Sequence, residues 1–140
     1  MPWLFQIASG RISHDGQTIG AAYSGAPGYV DNPADESLVA KGPLPEGWYT
    51  FGVPVDSPHT GPFSIPLIPD ADNDMYGRGG FFCHGDGINA PPQTSSEGCI
   101  VALRSVREQM DYSRQKGDAR LQVVSGEPQQ FPAIDPDLGQ

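Results

Sequence analysis

Only one stretch of this chain, Leu103 to Gln115, carries a helical stripe, with Leu103, Val106 and Met110 on one face and Gly117 as the stop. Everything else must therefore build its core from short extended segments. The punctuation agrees, because 18 Gly and 15 Pro among 140 residues break the chain every few positions. A length of 140 residues supplies one modest core and not two. The predicted fold is mainly β: a single domain forming a β-sandwich or partly closed barrel, with one main helix after the strand that leaves Cys99.

Trp3 to Ala8 alternates as a strand, and His14-Asp15-Gly16-Gln17 supplies a turn from which Thr18 to Tyr23 returns as the hairpin partner. Ser24 to Lys41 lacks periodicity and reads as a long ordered loop with a short helical turn near Asp35 to Ala40. Gly42-Pro43-Leu44-Pro45-Glu46-Gly47 is a turn cluster that launches Trp48 to Val53, the best strand by β-propensity. Pro62 to Ile68 reads as an edge strand, since Pro66 lacks a ladder donor. Gly80 to His84 is a short buried strand between polar loops at 70–80 and 88–97, and Leu121 to Val124 is the last strand. The domain is expected over residues 1–126, with a loose Pro-rich tail at 127–140.

The charge balance narrows the partners. A net charge of -9 opposes nucleic acid, whose phosphates need clustered Lys and Arg, and opposes an anionic membrane surface. No apolar run approaches the roughly 20 residues of a spanning helix, so no membrane insertion is expected. The N-terminus shows no basic and apolar leader pattern, which predicts synthesis in the cytoplasm and export, if any, by another route.

Chemistry concentrates in Phe81-Phe82-Cys83-His84-Gly85-Asp86 and in Ser95-Ser96-Glu97-Gly98-Cys99-Ile100. A cysteine nucleophile needs a base to take its proton and donors aimed at the developing oxyanion. His84 titrates near neutrality and can be that base. Gly98 permits unusual dihedrals and close approach beside Cys99, and the Ser96 hydroxyl can orient the loop. Cys83 and Cys99 could instead bridge, or one could be structural and the other reactive; the surroundings of Cys99 favour the last. Alternation along a strand turns Cys83 away from the His84 side. Asp86 could orient His84 in a triad, or simply hold its turn. His14 and His59 read as spectators, and three scattered His give no metal-ligand spacing.

His84-Gly85 followed by Ser96-Glu97-Gly98-Cys99 resembles the signature of L,D-transpeptidases of the YkuD type. Tyr23-Ser24-Gly25, Asn32-Pro33, Gly42 to Tyr49 and Gly77-Arg78 resemble the smaller, Tlde1-like branch of type VI secretion effectors, and the likeness runs from Trp3 to Val124. Two positions depart from the larger family's pattern: Glu97 stands where His is common, and Val101 where Arg or Asn is common. Recognition of a substrate carboxylate must then come from elsewhere, with Arg78 and Arg104 as the expected residues and Gly85 and Asp86 lining the site.

The resemblance implies acyl transfer on peptidoglycan tetrapeptide stems through a Cys99 thioester. His84 acts as base, and the Gly98 and Cys99 amides form the oxyanion hole. Water as acceptor gives L,D-carboxypeptidase action, a D-amino acid gives exchange, and neither needs a cofactor. It further implies an antibacterial effector acting in the periplasm of a target bacterium, with a secretion apparatus and a cognate immunity protein as partners. The competing readings are a cysteine peptidase or amidase of wall peptides and a non-catalytic, disulfide-stabilised wall-binding or phage module.

Overall fold

The computed structural model describes residues 1–87 and 94–126. Among the described residues the fold has nine strands and one α-helix. The strands are β1 (Trp3–Gln6), β2 (Arg11–His14), β3 (Gln17–Ser24), β4 (Gly47–Phe51), β5 (Val55–Ser57), β6 (Gly61–Pro69), β7 (Phe82–His84), β8 (Ile100–Ala102) and β9 (Arg120–Val124); helix α1 spans Arg104–Gln115. Pairing runs β4-β9-β1-β2-β3-β8-β7-β6 and closes through β4–β6, with β5 attached to β6. This is a closed eight-stranded barrel, and its one helix follows Cys99 directly, as the sequence predicts. Closure removes the exposed edges that a sheet of short strands would otherwise present.

Each strand turns alternate side chains inward. Trp3 and Phe5 of β1, Tyr49 and Phe51 of β4, Ile65 and Leu67 of β6, and Leu121 and Val123 of β9 are buried together. From α1, Val106 and Met110 join this cluster. Trp3 adds its indole N–H, which donates to Ser113 Oγ at 2.9 Å and pins the helix to β1. Burying aromatic and branched side chains is worth roughly 1.5–3 kcal/mol each, which is what holds so turn-rich a chain together.

Four expectations are corrected. The hairpin partner of β3 is β2, while β1 pairs β2 and runs parallel to β9. Asp15 and Gly16 both take positive φ, the type I′ geometry that Asp-Gly favours, so the turn and the strand from Trp3 stand where the sequence predicts and β2 comes between them. Next, β6 is no edge: it pairs β7 along one side and β5 and β4 along the other. Pro66 sits where the partner changes from β5 to β4, and its carbonyl accepts from Gly52 N–H at 2.8 Å. The helical turn in the long loop is a 3-10 turn at Pro33–Asp35, set by Asn32, whose side chain accepts from Ala34 N–H. Finally, Leu103 lies just before α1 and is 71% exposed, so the buried stripe begins at Val106. The expected tail at 127–140 and most of the 88–97 loop lie outside the described residues.

Candidate active site

Strands β7 and β8 run parallel, with Cys83 opposite Ile100 and His84 opposite Val101. Alternation then assigns the faces. Cys83 and Ile100 point into the barrel and are fully buried, whereas Phe82, His84, Cys99 and Val101 belong to the outer face. Two strand positions and one strand spacing separate Cys99 from His84, about 8 Å between Cα atoms. Phe82 N–H donates to Cys99 Sγ at 3.3 Å. Among the described residues no hydrogen bond joins Sγ to the imidazole, and catalytic pairs often close only around substrate.

His84 is 4% exposed, and its Nδ1 lies 2.8 Å from the Gly85 carbonyl. A carbonyl only accepts, so Nδ1 carries the proton and Nε2 is left as the basic atom. Burial pushes the imidazole's pKa down, partly opposed by the Gly85 bond. Burial likewise pushes the Cys99 thiol up, with the Phe82 N–H and Arg78 pulling the other way. Both shifts favour the neutral forms, which suits proton transfer during attack rather than a standing ion pair. Among the described residues Asp86 makes no hydrogen bond to His84; it accepts from the Tyr23 hydroxyl, which in turn accepts from Ser95 N–H at 3.0 Å.

Ser96 organises the nucleophile loop. Its buried hydroxyl donates to the Cys99 carbonyl at 2.7 Å and accepts from the amides of Gly25 and Gly98, each at 3.0 Å. The Gly98 amide is thus already engaged, whereas the Cys99 amide donates to nothing among the described residues. Gly98 itself has φ +137, and a Cβ there would run into the Arg78 guanidinium and the Phe81 ring. Ser24 adds a second clamp, donating to the Gly98 carbonyl at 3.0 Å and accepting from Leu44 N–H at 2.8 Å.

The two arginines expected at the site part company. Arg78 is buried and directs four hydrogen bonds to the backbone carbonyls of Glu36, Gly42, Pro43 and Glu97. That ties the 36–43 loop to the nucleophile loop and leaves little for a ligand. Arg104 pairs with Glu108 at 3.3 Å and lies over the Phe63 ring, with half its side chain exposed. Sequence reasoning missed Arg107, which is buried next to His84, and assigned no role to Tyr23 or Ser24 in holding the loops. A charged residue beside the Val106–Met110 stripe was the available signal.

Cys99 opens on a cleft of about 300 Å³ with Arg78, Phe81 and Glu97. His84 opens on a second, of about 730 Å³, with Gly85, Asp86, Arg104 and Arg107. His59 also lines this second cleft, whereas His14 stacks on Trp3 in a separate one. Among the described residues, the one convergence of potential metal ligands is His14, Asp15 and Asp118, and Asp118 there meets the N-terminal ammonium. Both cysteines are free; Cys83 Sγ lies 3.9 Å from Met110 Sδ inside the core, facing away from Cys99.

The family profile of the Tlde1 domain matches residues 18–126. The chain belongs to the Tlde1 domain family. This is a family of L,D-transpeptidase-like type VI effectors. Among solved structures, Bd1075 of Bdellovibrio bacteriovorus superposes with a TM-score of 0.60 at 16% identity. The match covers 92% of this chain and 50% of Bd1075, so the chain spans about half the length of that protein, and the likeness is one of fold. No curated protein matches. No helix among the described residues is long and apolar enough to cross a membrane.

Proposed function

We propose that this Tlde1-domain chain is a cysteine acyl-transferase that removes or exchanges the terminal D-amino acid of peptidoglycan tetrapeptide stems. One observation carries the reading. Cys99, one residue before β8, lies against Phe82 N–H on the side of β7 that carries His84, and the Gly85 carbonyl fixes the tautomer that leaves Nε2 basic.

In the first step Nε2 takes the thiol proton as Sγ attacks the carbonyl of the third stem residue. A sulfur–carbon bond forms and the carbonyl oxygen becomes an oxyanion, received by the Cys99 amide. Collapse breaks the carbon–nitrogen bond, and the imidazolium passes its proton to the departing amine of D-Ala. In the second step His84 deprotonates water or the amine of a free D-amino acid. That nucleophile displaces Cys99, and the sulfur recovers its proton. Ser96, Gly98 and Arg78 act through position, holding the loop that carries the sulfur. Loss or exchange of terminal D-Ala removes crosslinking donors and weakens a wall, which fits an antibacterial effector delivered to a target periplasm. A cognate immunity protein and the secretion apparatus are the proposed partners.

The test is incubation of purified tetrapeptide muropeptides with the wild-type chain and with Cys99→Ala, followed by mass spectrometry. Tripeptide products, or D-amino acid incorporation when one is supplied, are expected from the wild type alone. Cleavage elsewhere in the stem would make the chain a peptidase or amidase instead.

A further inference from the structure

Nucleophile and base open on different clefts, and this division assigns the two halves of a substrate. The acyl part must reach Sγ, so it lies towards the Cys99 cleft. The amine that receives a proton from Nε2 lies towards the His84 cleft, together with whatever that amine carries. A departing D-amino acid carries a carboxylate, which needs a cationic partner in a protein of net charge -9.

Arg107 meets that need. It is only 7% exposed, and its Nε donates to the Ala102 carbonyl at 3.1 Å. Its Nη1 donates to the carbonyls of Pro62 and Phe63 at 3.0 and 2.9 Å. These bonds fasten α1 to the ends of β8 and β6. They leave Nη2 with no acceptor among the described residues, an uncommon state for a buried donor. The same residue lines the His84 cleft and its neighbour beside Tyr23 and Val101. Gly85 keeps Nη2 uncovered, since a Cβ there would lie 2.8 Å from it, and Gly85 has no unusual φ that would otherwise demand glycine. Arg104 stands in both clefts as a second, more exposed guanidinium. The cleft's own carboxylate, Asp86, is engaged by Tyr23.

We infer that Arg107 is a specificity-determining residue whose Nη2 binds the carboxylate of the D-amino acid that leaves or enters, with Arg104 assisting from the rim. The inference rests on the acyl-transfer reading above and names the group that reading must recognise. It gives a physical reason for a strict preference: with a C-terminal amide in place of the acid, a buried guanidinium loses its charged partner. A charge-assisted bond of this kind is worth on the order of tenfold to a hundredfold in affinity.

The test is a binding titration, which needs no turnover. Cys99→Ala protein is titrated calorimetrically with the tetrapeptide ending in D-Ala and with the same peptide as its C-terminal amide. The acid is expected to bind at least about tenfold more tightly. That preference should vanish in Cys99→Ala carrying Arg107→Gln, and shrink less with Arg104→Gln. Because Arg107→Gln also loses bonds to three carbonyls, Gly85→Ala serves as the second variant; its methyl covers Nη2 and should abolish the preference too. Equal binding of acid and amide would overturn the inference while leaving the acyl-transfer reading intact. Binding of neither peptide would overturn that reading and the inference with it.

Discussion

Cys83 on β7 and Cys99 just before β8 are the same residue type, yet the barrel wall separates their chemistry. Cys83 faces inward, fully buried against Met110, and burial pushes its thiol up to about 12. Cys99 faces outward beside a cleft, with a backbone N–H on its sulfur and His84 on the same face. What decides a sulfur's role here is strand parity. A slip of one residue in β7 alone would turn Cys83 to the outer face and His84 into the barrel.

The sharpest way to break this contrast is to delete each sulfur separately. Cys99→Ala is expected to lower turnover of tetrapeptide by roughly 10⁴-fold or more while leaving the melting temperature near that of the wild type. Cys83→Ala should do the opposite, costing about 1 kcal/mol of stability through a small core cavity and keeping most activity. Alkylation gives the same contrast chemically: one thiol modified in the folded protein, both after denaturation. Equal loss of activity in the two variants would contradict the assignment of faces.

His84→Gln removes the base from the outer face and should cost about 10²- to 10⁴-fold in turnover, with the fold retained. The wild-type pH profile sharpens this. Because burial lowers the His84 pKa, the ring stays neutral and basic until the pH falls below the ordinary histidine value near 6.5. Activity should therefore persist into mildly acidic solution and decline only below that point. An acid limb above pH 7 would contradict a desolvated base.

The smallest of these effects is expected from the loop beneath Cys99. Ser96→Ala leaves the amides of Gly25 and Gly98 and the Cys99 carbonyl without their common partner, a loss of about 1–3 kcal/mol in stability. Turnover should fall less than with His84→Gln, since the hydroxyl positions the sulfur and touches no reacting atom. Thermal melts beside steady-state rates separate the two effects.

Much of this was legible in the chain because local chemistry and global fold agree. The Asp15-Gly16 turn, the lone helix and the opposite facing of Cys83 follow from φ preferences, a 3.6-residue stripe and period-two alternation. The barrel's closure was not legible, since the β4–β6 pairing uses only the end of β6, whose partner on that side changes from β5 to β4 at Pro66. Nor were the separate fates of Arg78, Arg104 and Arg107. All three are one residue type, and only the third dimension shows which guanidinium clamps carbonyls, which faces solvent, and which keeps a nitrogen open towards His84.

The central claim is a covalent bond between the outward sulfur and the stem. Intact-protein mass spectrometry of acid-quenched mixtures with tetrapeptide tests it most directly. Wild type and Cys83→Ala should each gain the mass of the stem less D-Ala, lost on treatment with hydroxylamine, and Cys99→Ala should gain nothing. An adduct that survives in Cys99→Ala, or product formed with no adduct at any quench time, would contradict the account.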